Sequence, residues 1–231
     1  MLIRHIRLAS RDLIAQRRFY VETLGFGVVF ETDDALTVQA GASRLSLVAE
    51  RAIGVAHGPY HFAFNIAFDQ VDAAKGWIAA RVPVLADRDG RSDFPNETFA
   101  SRAVYFKDAD GNIGEFIGRQ RQPASRGAPF DAAGGVRNIS EIGVAVADVP
   151  TAHRQFTAQL GASRYGVHAD GVFGAVGDDD GMLIVVRDGR LWFPDTGIPA
   201  KPLWFEADLQ TERGSWRLAG PEGRLSLIDN G

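Results

Sequence analysis

Apolar and polar residues alternate through residues 2–9, then shift to helical spacing at Leu13, Phe19, Tyr20 and Leu24, a pattern that predicts a strand followed by a helix. Ser10 or Asp12 suits the helix N-cap and Gly25 its stop. Short β-like runs follow at 27–32, 35–40 and 44–49, giving the order βαβββ. A second unit opens at His61. HFAFNIAFD reads as a strand and VDAAKGWIAARV as an amphipathic helix, with Asp69 or Asp72 near its start. The unit closes with AVYFKDADGNIGEFIGR, two β-like runs joined at Asp110-Gly111.

The pattern then recurs. Residues 5–26 and 141–162 match at a fixed offset that sets Asp12 on Asp148, Tyr20 on Phe156 and Leu24-Gly25 on Leu160-Gly161. A shortened last unit follows: KPLWFEAD reads as its first strand and WRLAGPEGRLSLI as its terminal hairpin. The LQTERGS between them is too short for a helix and a strand. RQRQPASRGAPFDAAGG, between Arg119 and Gly135, has the composition of a linker. Helices alternating with meandering strands predict an α+β chain. Its expected organisation is a module pair at 1–120, a linker at 121–135 and a degenerate pair at 136–231.

Composition narrows the chemistry. The 231 residues, 45% hydrophobic, can bury a full core. The net charge is −4 and Lys and Arg form no long run, so nucleic acid is not an expected partner. There are no cysteines, so a metal would need nitrogen and oxygen ligands. Arg4, His5 and Arg7 interrupt any apolar leader, and no segment approaches a membrane-spanning length. A soluble cytoplasmic protein without a membrane partner is expected.

A βαβββ unit used in pairs, opening with His-x₆-Asp and a helix ending Phe-Tyr-x₃-Leu-Gly-Phe, and closing with Tyr-Phe-x-Asp-x-Asp-Gly-Asn-x₂-Glu-Phe, resembles the vicinal oxygen chelate superfamily. That superfamily includes glyoxalases, bleomycin-resistance proteins and extradiol dioxygenases. The resemblance implies tandem βαβββ modules that form cup-shaped mixed sheets, here with a truncated fourth module. It further implies that His5, His61 and Glu115 are metal ligands. Strand parity agrees, since each of the three can face away from the apolar side that a helix covers.

Two imidazoles and a carboxylate suit a divalent metal, Fe(II) first and then Mn(II), Zn(II) or Ni(II). Tyr105, on the neighbouring strand, is the candidate acid or orienting group. Asn65 and Arg7 share faces with His61 and His5 and are candidates to bind a substrate oxygen. In the C-terminal half the repeat sets Glu141 opposite His5, Ala200 or Lys201 opposite His61, and Leu227 opposite Glu115, so a second ligand set is not expected. Asp178-Asp179-Asp180-Gly181 reads as a solvated turn. The expected activity is that of a metal-dependent enzyme acting on a small oxygen-rich substrate, as an extradiol-type dioxygenase or a glyoxalase-like lyase. The alternative is a non-catalytic small-molecule sequestration protein of the bleomycin-resistance type. A small-molecule substrate is the expected partner, and a homodimer is compatible with the resemblance.

Overall fold

The computed structural model describes residues 1–228 apart from 126, 128, 163 and 222. The first unit comprises β1 (Leu2–Ser10), α1 (Leu13–Arg17), β2 (Val28–Glu31), β3 (Ala35–Ala40) and β4 (Ser43–Ala49), followed by a short α2 (Glu50–Ile53). Its helix runs on as a wider π-turn over Arg18–Thr23. The second unit comprises β5 (His61–Ala67), α3 (Val71–Ala79), β6 (Phe94–Asn96), β7 (Ser101–Lys107) and β8 (Ile113–Arg119). A short α4 (Ala132–Gly135) interrupts the expected linker, two residues of which (126 and 128) lie outside the described residues. The third unit has β9 (Asn138–Val146), α5 (Val149–Leu160), β10 (Phe173–Gly177) and β11 (Met182–Arg187). Where another strand was expected, its described residues show an isolated bridge between Val167 and Gly174. The fourth unit is β12 (Phe205–Thr211), β13 (Gly214–Ala219) and β14 (Arg224–Leu227), with no helix among its described residues. Glu222, in its expected terminal turn, lies outside the described residues.

Local signals act much as the sequence implies. The Asp12 carboxylate caps α1 by accepting from the Ala15 N–H at 2.9 Å, and Asp148 caps α5 through the Thr151 N–H at 3.0 Å. Neither Asp69 nor Asp72 caps α3: Asp69 accepts from Ser125 and Asp72 from Arg102, and Gln70 takes the cap position.

Among the described residues the strands form one continuous mixed sheet with fourteen members, in the order β14-β13-β12-β1-β9-β5-β8-β7-β6; β4-β3-β2 branch from β1 and β11-β10 from β9. Its narrow waist is the contact of β1 with β9, registered only at Ile3 and Ile139. Ser43 fastens this waist, donating to the Ile3 carbonyl and accepting from the Ile139 N–H.

This order corrects the expected pairing. The first unit pairs with the fourth through β1 and β12, and the second pairs with the third through β5 and β9. The expected module pairs at 1–120 and 136–231 are therefore not the cups that form. The physical reason is edge pairing: β1 and β5 each need an antiparallel partner along a free edge, and β12 and β9 supply them. Phe62, Phe64, Ile66, Val104, Phe106 and Phe116 fill the helix-covered core, leaving the opposite face of β5, β7 and β8 to line a cup. Among the described residues no helix is long and apolar enough to cross a membrane.

Candidate metal centre

Strand β5 runs between β8 and β9, and the register sets Glu115 and Glu141 on either side of Ala63. His61 lies two residues before Ala63 and so shares its face. The small Ala63 side chain leaves room for both carboxylates to approach the imidazole. Potential ligand atoms of His61, Glu115 and Glu141 all lie within 4.8 Å of one another. His61 Nε2 is 3.6 Å from Glu115 Oε2 and 3.8 Å from Glu141 Oε2. All three residues are buried, at 7%, 2% and 4% exposure respectively.

Surrounding groups fix these three. His61 Nδ1 is 3.3 Å from the Ile113 carbonyl, so a proton on Nδ1 leaves the Nε2 lone pair facing the carboxylates. Tyr105 lies directly opposite Glu115 in the β7–β8 register, next to its carboxyl group. Arg119, fully buried and four residues beyond Glu115 on β8, pairs with Glu141 and donates to Ser140 Oγ at 3.1 Å. Burial and the adjacent Glu141 charge hold the Glu115 carboxyl well above the usual carboxylate range. Burial pushes Glu141 the same way, but the adjacent His61 and the Arg119 charge outweigh it, and its pKa is lowered. Burial and Glu115 push the Tyr105 hydroxyl well up.

The donor set fits a divalent cation. Metal–ligand bonds of about 2.0–2.2 Å imply ligand atoms roughly 3 to 3.5 Å apart, so the 3.6 and 3.8 Å separations need only small side-chain rotations. Two buried carboxylates share one guanidinium, and a cation between them would offset the repulsion that raises Glu115.

The structure does not bring His5 to this group. His5 lies in the other cup, formed by the first and fourth units, with Nε2 2.7 Å from Ser46 Oγ and Nδ1 4.0 Å from Asp208 Oδ2. Asp208 is itself paired with Arg7 at 3.0 Å and Arg217 at 2.7 Å. Arg7, a candidate for the substrate, is therefore also away from the His61 group. Asp208 is the cross-strand partner of His5, and Ala200 and Lys201, which the repeat set opposite His61, precede the fourth unit's first strand at Phe205. Asn65 is on the metal-cup face, but its side-chain amide is bonded to the Asp179 carbonyl at 3.1 Å and the Asp180 carbonyl at 3.3 Å and closes one end of the cup. Asp179 is not in a solvated turn: it is buried and ion-paired with Arg121 at 2.6 Å. Glu141 is the group member that parity reasoning missed. Its signal was the repeat offset, which sets it where the first unit has His5.

Above the three residues opens a cavity of about 700 Å³. Phe94, Phe99 and Tyr105 of the second unit face Phe173, Trp192 and Phe193 of the C-terminal half. The Trp192 ring centroid is 5.0 Å from that of His61. It fits there because residue 143 is glycine: a Cβ at that position would lie 2.6 Å from the indole.

Paired βαβββ units, curled around a buried imidazole and two carboxylates, define a cup-shaped protein with a metal-type site. Residues 2–116 match the family model of the Glyoxalase/Bleomycin resistance protein/Dioxygenase superfamily, and the chain belongs to that superfamily. No curated protein sequence matches the chain. A solved glyoxalase I mutant from Zea mays is 16% identical, with 80% of this chain and 68% of that chain aligned at a TM-score of 0.53. A candidate dioxygenase from Bacillus subtilis is 15% identical over 80% of this chain and 63% of that one, with a TM-score of 0.55. These two share the fold. A lactoylglutathione lyase from Agrobacterium tumefaciens is 24% identical over 50% of this chain and 92% of its own, with a TM-score of 0.44.

Proposed function

We propose that the protein is a divalent-metal enzyme whose ion is held by His61, Glu115 and Glu141, and that its reaction is a lyase or isomerase type of proton transfer. The observation that carries this reading is the burial of one imidazole and two carboxylates, close enough to share an ion, at the floor of a large cavity. A bound divalent cation would supply Lewis acidity toward a substrate carbonyl or hydroxyl oxygen. The chain's own residues do the rest. Glu115 can hold or return a proton at the carboxylate oxygen turned away from the ion, Tyr105 lies next to that carboxyl group across the β7–β8 pair, and Arg119 keeps Glu141 charged and in place. Trp192 and Phe94 wall the site against water.

The donor set favours one chemistry over the other. A two-imidazole, one-carboxylate triad is the arrangement suited to Fe(II) oxygen chemistry, and its second imidazole, His5, is in the other cup. One imidazole with two carboxylates is a harder, oxygen-rich set, which supports Mn(II), Zn(II) or Ni(II) ahead of the Fe(II) that the sequence put first. A pure sequestration protein has no use for a buried acidic pair at the floor of its pocket.

The test is metal analysis of protein purified without chelator, combined with an oxygen electrode. One equivalent of metal, lost in Glu141→Gln and kept in His5→Ala, together with no oxygen uptake on a panel of catechols, supports the reading. Metal retention in Glu141→Gln, or rapid oxygen uptake, overturns it.

A further inference from the structure

The cavity is far larger than an ion alone needs. Its volume of about 700 Å³ lies well inside the ~300–1,000 Å³ that accommodates drug-sized ligands. Aromatic rings line it in two groups. Phe94 meets Tyr105 and Phe193 edge-on at centroid distances of 5.6 and 4.7 Å, and Phe99 lies 6.4 Å from Phe173. Such walls favour flat, ring-bearing ligands, which gain from stacking beyond simple burial.

A charge in the wall has no counterpart. The Arg190 guanidinium carbon lies 5.3 Å above the Phe173 ring, and the side chain borders the cavity. Arg91, another cation in the lining, is neutralised by Asp87 at 2.9 Å and Asp89 at 3.2 Å. Arg190 makes no ion pair among the described residues; it donates a 3.3 Å hydrogen bond to the Leu191 carbonyl, and Asp170 acts on it only from a distance. Burial lowers its pKa, which marks the cost of holding the charge there unpaired. An anionic oxygen entering the cavity would offset that cost with a charge-assisted, planar pair.

From this cavity we infer that the substrate is an acidic, multi-ring planar molecule, with its rings against Phe94, Phe99, Tyr105 and Phe173 and its anionic group on Arg190. The inference rests on the proposed reading of the same site and gives it a substrate class. The anionic group is a carboxylate, sulfonate or phosphate, which share this recognition.

The experiment is calorimetric titration of the metal-loaded full chain with anthracene-2-carboxylate, its methyl ester and benzoate. The acid is expected to bind at least about tenfold tighter than the ester, and tighter still than benzoate. Arg190→Gln should abolish the preference for acid over ester while leaving the ester's affinity and the metal content unchanged, and Arg190→Lys should restore part of it. Equal binding of acid and ester, an undiminished preference in Arg190→Gln, or benzoate binding as tightly as the tricyclic acid would each overturn the inference. Failure of the metal reading looks different: wild-type protein without bound metal that still prefers the acid through Arg190.

Discussion

Glu141 Oε2 lies 3.8 Å from His61 Nε2, across the antiparallel pair of β9 and β5 that joins the third unit to the second. The chain's candidate catalytic centre therefore straddles its two halves. Removing either half would remove a ligand.

Metal affinity should follow this geometry. His61→Ala, Glu115→Gln and Glu141→Gln are each expected to weaken metal binding beyond the roughly 10–100-fold that loss of an outer-shell partner costs. His5→Ala should leave it unchanged. Competition with a chromophoric chelator measures all four, and a ligand-sized loss in His5→Ala would place the ion elsewhere.

Arg119→Met breaks a buried ion pair and leaves Glu141 uncompensated. Such losses typically cost about 3–5 kcal/mol. A bound cation would supply part of the missing positive charge, so the penalty should be smaller with metal than with chelator. Denaturant unfolding under both conditions reads the difference; equal penalties would mean that Glu141 does not face the ion.

His5 gives the fold a dependence on acid. Burial, aided by the Arg7 charge, lowers its pKa from 6.5 to about 4. Between those values the unfolded chain binds a proton that the folded chain refuses. The contribution is thus complete above pH 6.5 and is lost as the pH falls toward 4. After discounting for the solvent that still screens a partly exposed ring, the loss is about 2 kcal/mol. Urea unfolding of the wild type and His5→Gln at pH 7.5 and 4.5 isolates it: the variant should lose less on acidification, and parallel losses would contradict the shift.

Gly143→Ala should disturb the cavity wall before it disturbs the metal. Its Cβ would meet the Trp192 indole at 2.6 Å and the His61 carbonyl at 3.3 Å. Overpacking of this kind costs about 1–3 kcal/mol. The expected result is altered Trp192 fluorescence, assigned against Trp192→Phe, with metal content retained; an unchanged spectrum would show that the indole has room to move.

The repeated units, the helix caps of the first and third units and most strands were legible in the amino-acid order because periodicity, capping residues and turn glycines act over a few neighbouring positions. Asp12, Asp148 and the strand at Ala35–Ala40 are where the pattern sets them. The Asp108–Asn112 motif was legible too, but its work is structural: the Asp108 carboxylate accepts from Tyr20, Gln16 and Asn112 at 2.8, 2.9 and 2.7 Å and ties the β7–β8 turn to the first helix. His61, Glu115 and Tyr105 could be placed on one face from parity, since they lie within a single unit. Which unit closes that unit's cup could not be read from it. Units alike in sequence offer β5 alike edges, and only the assembled sheet, with β12 on β1 and β9 on β5, chose Glu141 over His5. That choice is a matter of long-range edge pairing, to which local patterns are blind.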